Sequence, residues 1–305
     1  MNEWKVAIQK MIDWIEINIE NKPSLMEMSC EIGYSPSYCS YLFHYVTGIT
    51  LKSYVAGRRL CHATLELRDT NMRILDIAVK YGYSSQEALT RAFVNAYGLT
   101  PLTYRKSPGP VRLSIKQIVI SPEDYVNRGG NSMSNIKEAS IRFEYIPAHK
   151  YIGIWDIRAN NYGEFWKYHD CDEVCGIIES MRNVAHEIVG AHMAGWFYEN
   201  GVKGYFYGFG VPTDFEGEIP KGFEVKEFPA SNYMVFFHPP FEYLPKNGEV
   251  MSRVESLAWN YNPSQSDRWW IPKGYEWNEK SCQIYQRHFP EVMGYEVLRP
   301  VKKIK

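Results

Sequence analysis

Apolar residues in the first hundred positions recur every three or four residues, which is the spacing of amphipathic helices. Trp4, Ile8, Met11 and Ile15 form the first such stripe. Prolines, glycines and short polar turns separate one stripe from the next. The pattern predicts helices over about 4–19, 25–32, 36–46, 51–67, 74–81 and 84–97, with a last one from about 101. We therefore predict an all-α N-terminal region.

The helical pattern occurs twice, with a period of about 50 residues. The equivalent positions are Gly33 and Gly82, Phe43 and Phe93, Gly48 and Gly98, and Tyr54 and Tyr104. Ser24 with Glu27, and Ser84 with Glu87, match the capping box that starts a helix. An internal repeat of helix, glycine-containing turn and helix predicts two copies of one structural unit, joined by the helix at 51–67.

Beyond residue 140 the pattern changes to strands separated by two helical stretches. Strands are predicted over about 142–155, 191–199, 202–212, 224–237, 281–286 and 294–301, and helices over 165–181 and 250–259. This order is strand, helix, strand, strand, twice. Pro147-Ala148-x-x-Tyr151 returns as Pro229-Ala230-x-x-Tyr233. We predict an α+β domain with a duplicated order of elements and an antiparallel sheet that carries two helices.

A stretch rich in Pro, Gly, Ser and Asn separates the two regions. We therefore expect an N-terminal domain over 1–107, a linker over 108–139 and a C-terminal domain over 140–305. Neither a membrane-spanning apolar run nor a signal-peptide pattern is present. Six cysteines without a Cys-x-x-Cys pair are typical of a reduced protein, so we expect a cytoplasmic location and no membrane partner.

The charge is close to balanced over the whole chain but not along it. There are 34 Lys and Arg and 35 Asp and Glu, a formal net charge of −1. Residues 47–106 carry nine basic against four acidic side chains, whereas residues 1–46 carry three against six. A local basic surface is what a protein needs to bind phosphates. Arg58 and Arg105 are candidates for such contacts.

A helix-turn-helix reads DNA when the start of its second helix reaches base edges in the major groove. In the second copy, Gln86 is suited to pair with adenine and Arg91 with guanine or phosphate. The first copy offers Ser37, Ser40 and Tyr41, which should specify bases weakly. Solvated arginines on an ordinary helical bundle are the alternative explanation, and the paired copies favour DNA binding over it.

Residues from about 8 to 106 resemble the DNA-binding domain of AraC/XylS-family transcription regulators. The resemblance lies in Ile77-Ala78-x-x-x-Gly82-Tyr83-Ser84-Ser85, Arg91-x-Phe93 and Gly98-Leu-Thr-Pro101-x-x-Tyr104-Arg105. It implies two helix-turn-helix units on a linking helix. The base-reading positions that it implies are Ser37, Ser40, Tyr41, Gln86, Thr90 and Arg91. Gln86, Thr90 and Arg91 match the family's multidrug-response branch. That branch has Trp, Gln and Arg where this chain has Ser37, Ser40 and Tyr41.

Residues 140–305 are similar to the GyrI-like effector-binding domain of some multidrug-sensing regulators. The resemblance lies in the duplicated order of elements, in 205–212 and in 294–300. It implies an aromatic cleft for a flat and often cationic compound. Glu296 stands at the family's acid, and Gln283 stands where many members have Glu. Candidate wall residues are Trp155, Trp196, Tyr207, Trp269 and Tyr285. Core packing for the rings and a solvent-facing Glu296 remain the alternatives.

The sequence contains no recognisable metal, nucleotide or nucleophile-elbow motif. We therefore expect no cofactor and no enzyme activity. Our hypothesis is a transcription regulator that binds promoter DNA in a sequence-specific way and responds to a small aromatic or amphipathic effector. RNA polymerase is a further candidate partner, and the oligomeric state stays open. The alternatives are a hydrolase activity of the C-terminal domain, or constitutive DNA binding with a C-terminal domain that docks another protein.

Overall fold

The computed structural model describes residues 3–21, 23–117, 119, 139–265 and 274–304. Its contacts separate two units. The first combines Met1–Ser121 with Cys171–Asn183, and the second combines Pro122–Asp170 with Val184–Lys305. The N-terminal part is helical and the C-terminal part is built on an antiparallel sheet with helices, as the hydrophobic pattern predicts. In the part of the chain that is described, no helix has both the length and the apolar character to span a bilayer.

The helices of the N-terminal region follow the predicted stripes closely. They are α1 Glu3–Ile17, α2 Leu25–Ile32, α3 Pro36–Thr47, α4 Leu51–Asp69, α5 Ile74–Lys80, α6 Gln86–Tyr97 and α7 Pro101–Lys106. A short 3-10 turn, Ile19–Asn21, follows α1. The turn between α2 and α3 and the turn between α5 and α6 are the two predicted glycine-containing turns.

The structure confirms the internal repeat at each predicted pair. Gly33, Gly48, Gly82 and Gly98 all have φ between 73° and 82°, a left-handed conformation that glycine adopts without steric cost. The equivalent aromatic side chains are buried in both copies: Phe43, Phe93, Tyr54 and Tyr104. The two halves therefore share both their turn geometry and their core positions.

Each half of the repeat has its own hydrophobic core, and α4 contributes to both. Tyr54, near the start of α4, packs with Phe43 and the apolar face of α1. Leu60 and Leu67, further along α4, pack with the second copy. This is the predicted arrangement of two helix-turn-helix units on one linking helix.

Side-chain caps fix where most of these helices begin. The hydroxyl oxygens of Ser24 and Ser35 accept from the amides of Glu27 and Tyr38, which satisfies donors that a helix start leaves unpaired. The second predicted capping box is displaced by one residue. Ser85, not Ser84, is the N-cap of α6, and its hydroxyl accepts from the Ala88 amide. Helix α6 therefore opens at Gln86.

The described part of the second unit contains nine strands in one antiparallel sheet. They are β1 Ser140–Ile146, β2 His149–Asp156, β3 Met193–Glu199, β4 Val202–Val211, β5 Glu224–Phe228, β6 Ser231–His238, β7 Tyr275–Trp277, β8 Ile284–Phe289 and β9 Gly294–Lys303. Helices α8 Tyr162–Phe165, α9 Cys171–Ser180 and α10 Tyr243–Asn260 lie between them. The predicted helix over 165–181 is thus two shorter helices.

Two predicted strands are each interrupted in the middle. The strand expected over 142–155 is β1 and β2, and the one expected over 224–237 is β5 and β6. The breaks fall at Pro147-Ala148 and Pro229-Ala230, because proline has no amide hydrogen to donate to a ladder. The repeated Pro-Ala motif therefore marks the same break in both halves.

The strand order shows the duplication of the sheet. The order is β1-β6-β9-β8-β3-β4-β2-β5, with β7 paired to β9. A two-fold relation between β8 and β3 exchanges β9 with β4, β6 with β2, and β1 with β5. Tyr151 on β2 and Tyr233 on β6 are the tyrosines of the repeated Pro-Ala-x-x-Tyr motif. They are equivalent under this relation, and both are buried.

The sheet has one face covered by helices and one aromatic face. Trp196 packs edge-on against Trp259 of α10 and Phe165 of α8 packs against Tyr205, so these residues mark the helix-covered face. A row of paired residues crosses the other side of the sheet: Trp155, Phe206, Gly195, Tyr285, Leu298, Val235 and Arg142. We call this side the aromatic face.

Helix α9 belongs to the first unit although strands precede and follow it in sequence. The Ser180 hydroxyl accepts from the Val111 amide at 3.0 Å, and Arg68 of α4 donates to the carbonyl oxygens of Glu179 and Ser180. A Cβ atom on Gly176 would lie 2.2 Å from the carbonyl oxygen of Leu113. Only glycine allows this close approach.

Candidate functional site

The second helix of each repeat presents polar side chains to solvent. On α6, Gln86 and Arg91 are exposed and Thr90 is half-buried with its hydroxyl bound to the Gln86 carbonyl. On α3, Ser37 and Tyr41 are exposed, while Ser40 is half-buried. The six predicted base-reading positions thus lie in the first two to three turns of helices whose opposite sides hold Phe43 and Phe93 in the two cores.

An exposed set of tyrosines lies along α3 and just before it. Tyr38, Tyr41 and Tyr45 follow one another at three- and four-residue steps, and Tyr34 precedes the helix. Tyr41 is 63% and Tyr45 73% exposed, and their rings stack at 6.0 Å. Of these tyrosines only Tyr41 is a predicted base-reading residue, although the spacing alone indicates one helical face. Helix α3 is therefore aromatic at its surface, whereas α6 is polar and basic.

Arg58 does not lie on the basic surface. Its Nε and Nη2 atoms each donate to a carboxylate oxygen of Glu16 at 2.8 Å, and Nη1 donates to the Ser114 carbonyl. The predicted phosphate contact does not fit this placement, because the guanidinium is buried and bound on both edges. We remove Arg58 from the DNA-binding set. Nothing in the local sequence marks its partner, which is 42 residues away.

The ion pair with Arg58 holds the Glu16 carboxyl group ionised. Burial alone would raise its pKa, but hydrogen bonds from His62 and Arg58 lower the pKa to about 2. Glu16 also accepts from the Tyr54 hydroxyl at 3.1 Å. The interaction joins α1 to α4 and so belongs to the architecture of the first repeat.

Arg105 is half-buried on α7, and its Nε donates to the Leu67 carbonyl at the end of α4. Its Nη2 has no hydrogen-bond partner within the described residues. Lys106 beside it is exposed. Because Nη2 is itself buried, Lys106 is the basic group at the end of α7 that is exposed for a phosphate contact.

The predicted ligand-binding residues divide between the two faces of the sheet. Trp155, Tyr285 and Glu296 share the aromatic face. Trp196 and Tyr207 point to the helix-covered face, which does not fit a common pocket wall because successive residues of a strand point to opposite sides. Gln283 lies just before β8, and Trp269 lies outside the described residues.

Glu296 is enclosed by two arginines. Its side chain is 3% exposed and accepts from Arg142 at 2.7 and 3.0 Å and from Arg287 at 3.2 Å. Both arginines also bind Glu144, which gives a compact network of two positive and two negative charges. In this conformation a ligand cation at Glu296 would compete with these arginines.

A half-open cavity of about 150 Å³ lies at one end of the aromatic face. Phe197 and Phe228 contribute rings, and Lys226, Cys282 and Gln283 also line it. Of these, only Gln283 is among the predicted ligand-binding residues. The sequence offers little sign of the rest, because the strand ends that form the cavity are far apart along the chain.

Among the described residues, one buried histidine–tyrosine pair is a candidate for acid–base chemistry. His149 Nε2 and the Tyr285 hydroxyl are 2.6 Å apart. Burial lowers the pKa of His149 and raises that of Tyr285. Both side chains are almost inaccessible to solvent, so a substrate does not reach them in this conformation. The described residues contain no group of three or more His, Cys, Asp or Glu arranged to hold a metal ion.

Comparisons with known proteins place the similarity in the N-terminal part. A family model described as "Helix-turn-helix domain" matches residues 28–107. The Transposon Tn10 TetD protein of Escherichia coli is 41% identical over 101 residues, 33% of this chain and 73% of that protein. The HTH-type transcriptional activator AarP of Providencia stuartii is 35% identical over 100 residues, 33% of this chain and 74% of that protein.

Among solved structures, an AraC-type transcriptional regulator from Chromobacterium violaceum is 25% identical with a TM-score of 0.32, covering 34% of this chain and 96% of that one. The sequence relatives are matched over about three quarters of their length at 35–41% identity. The family model over residues 28–107 covers α3 to α7, with the glycine turns and core aromatic residues described above. Through this N-terminal region, the chain belongs to the AraC family of helix-turn-helix transcription regulators.

Proposed function

We propose that this chain regulates transcription by binding a specific promoter sequence, and that a small molecule bound to the sheet unit changes its affinity for DNA. The observation that carries the DNA-binding part is the pair of exposed helices α3 and α6, each braced within one repeat on the shared helix α4. Helices of this kind enter successive major grooves about one helical turn apart.

The two repeats are proposed to contribute unequally to specificity. On α6, Gln86 and Arg91 have forked or paired polar groups that match adenine and guanine edges, and Thr90 lies beside them. On α3, Ser37, Ser40 and Tyr41 offer hydroxyls and a ring, which fit thymine methyl groups and phosphates. Lys106 supplies a basic donor for phosphate. We therefore expect the α6 half-site to be the more strictly defined of the two.

The ligand-responsive part rests on the aromatic face and on helix α9. A ligand changes DNA affinity only if it binds two arrangements of the protein unequally. Helix α9 lies between α8 and β3 in sequence, yet it packs on 111–114 and on Arg68 of α4. The chain passes between the two units at both ends of the segment 171–183. A change in β2 or β3 would reach the DNA-binding unit through these connections, and we propose that they are the route of regulation.

Replacing Gly176 with valine is expected to weaken the α9 contact. The added side chain would collide with the Leu113 backbone, and overpacking of this kind costs about 1–3 kcal/mol. Amide hydrogen exchange should speed up over 111–114 and 171–180 while the core amides of α6 stay protected. Gly163→Val, at an exposed position of α8, is the matched control. Unchanged exchange at both segments would contradict the proposed contact.

The DNA-binding proposal is tested by selecting random double-stranded DNA with the full-length protein. We expect an enriched sequence with two half-sites about one helical turn apart, protected together in a footprint. Affinity should fall steeply with salt, because phosphate contacts release counterions. Failure to enrich any sequence, at low salt as well as at physiological salt, would overturn the proposal.

A further inference from the structure

The cavity beside the aromatic face has the size of one aromatic ring. Its volume is about 150 Å³, and a cavity of this size in another protein accommodates benzene. The rings of Phe197 and Phe228 are suited to stack on a flat apolar group. The cavity therefore holds one ring, and the remainder of a larger ligand would extend through its open side.

The cation site of the neighbouring aromatic rings is already occupied by the protein. Lys226 Nζ lies 4.2 Å from the ring centroid of Trp155 and 5.5 Å from that of Phe197. This is the position that a cationic ligand would take in a cation–π contact. Lys226 also lines the cavity, so its ammonium group is close to any ligand bound there.

The acidic groups near the cavity are largely compensated. Glu279 lines the cavity, but Arg299 binds its carboxylate at 2.6 and 2.7 Å. Glu199, at the exposed end of β3, also lines the cavity, and so do Lys226 and Lys280. When Arg299 is counted, the local charge is positive. An anionic ligand would therefore gain more here than a cation.

A second, independent observation concerns the indole of Trp155. Its Nε1 atom is buried and has no hydrogen-bond partner among the described residues. An unsatisfied buried donor is destabilising, and a ligand oxygen would satisfy it. Lys226, which lines the cavity, packs on this indole, so the two donors are neighbours beside the cavity.

We infer that the cavity binds a small compound with a single aromatic ring and a carboxylate group. The ring lies between Phe197 and Phe228, and the carboxylate oxygens accept from Lys226 and from Trp155 Nε1. This inference rests on the proposed ligand-responsive function and assigns it an anionic ligand in place of the cationic one that the family resemblance implies. Lys226 leaves the Trp155 ring face to pair with the ligand.

The test compares three one-ring probes on the full-length protein by calorimetry and thermal shift: benzoate, benzamide and benzylammonium. We expect benzoate to bind and to raise Tm, with benzamide weaker and benzylammonium weakest. Lys226→Met keeps the aliphatic part of the side chain and removes the charge. It should lower the affinity for benzoate about tenfold or more, as expected for loss of a charge-assisted hydrogen bond. Trp155→Phe should weaken it several-fold.

Lys203→Met is the matched control, because Lys203 makes the same kind of contact with Trp196 and Trp259 on the helix-covered face. It should leave benzoate affinity unchanged. If Lys226→Met does not fold, Lys280→Met at the cavity rim should still reduce affinity. Preference for benzylammonium, absence of benzoate binding at millimolar concentration, or equal affinity of the Lys226 and Lys203 variants would overturn the inference.

DNA binding measured in the same samples separates this inference from the proposed function. If benzoate binds through Lys226 but leaves DNA affinity unchanged, the cavity assignment stands and this ligand does not regulate. If an organic cation changes DNA affinity while benzoate does not bind, the proposed regulation stands and the cavity assignment fails.

Discussion

A Glu16→Gln variant is expected to lose about 3 kcal/mol of folding free energy, because breaking a buried ion pair leaves the other charge uncompensated. Arg58 is buried, and both edges of its guanidinium depend on Glu16 and the Ser114 carbonyl. Chemical unfolding followed by circular dichroism measures the loss. Glu20→Gln is the control, since Glu20 is 55% exposed and its ion pair with Lys80 is longer, at 3.4 Å. An equally small effect of both substitutions would contradict the structural role of the pair.

The same pair predicts a pH dependence. The pKa of Glu16 in the folded protein is about 2, below its ordinary value of 4.5, so the folded state holds fewer protons than the unfolded state between these values. The stabilisation is complete above about pH 5 and is lost as the pH falls toward 2. The difference in stability between the native protein and Glu16→Gln should therefore shrink over this range. A difference that is independent of pH would show that the carboxylate charge is not responsible.

Replacing Arg91 with alanine is expected to weaken binding to the selected DNA site by about 1–3 kcal/mol, or roughly 5- to 150-fold. Arg91 is exposed near the start of α6, where a bidentate contact to guanine is possible. If it reads a base, the variant should lose discrimination at one position of the site. If it binds only phosphate, affinity should weaken equally for all sequences. The slope of log affinity against log salt concentration should then fall by about one. Either result is measured by fluorescence anisotropy with single-base variants of the site.

Gln86→Ala gives a second measurement on the same helix and should relax specificity at a different base pair. Lys10→Ala is the control for both, since Lys10 is an exposed basic residue on α1, outside the two turn-helix segments. Loss of affinity in the Lys10 variant equal to that in the Arg91 variant would indicate a general charge effect. Unchanged affinity in both α6 variants would remove α6 as the reading helix.

The helical region could be predicted well because its signals are local. Helix spacing, caps such as Ser35 and Thr50, and glycines with positive φ act within a few residues, and the repeat shows each signal twice. The start of α6 is an exception. Ser84 and Ser85 both offer a hydroxyl, and the sequence pattern favours Ser84 because Glu87 follows three residues later. The observed helix starts one residue further on, and the Glu87 carboxylate interacts with Ser85 instead.

The sheet region could be predicted only as an order of elements. The period of two along a strand indicates which residues share a side, but not which side receives the helices. Trp196 and Tyr207 therefore carry the same sequence signal as Trp155, yet they lie on the opposite face. The breaks at Pro147 and Pro229 were visible in the sequence as an echo, and their meaning as strand ends became clear from the pairing of β2 with β5 and of β1 with β6.

By itself the sequence determined the two helix-turn-helix units, the shared helix between them and the duplicated α+β order, since these depend on short-range spacing. Only the tertiary structure decided which charges remain available. Arg58 pairs with Glu16 across 42 residues, and Glu296 pairs with Arg142 across 154. A side chain has the same chemistry whether it is exposed or enclosed by a distant partner. The folded arrangement therefore determines that Arg58 is structural and that the charge of Glu296 is compensated by arginines. It also places Lys226 at the cavity beside the aromatic face.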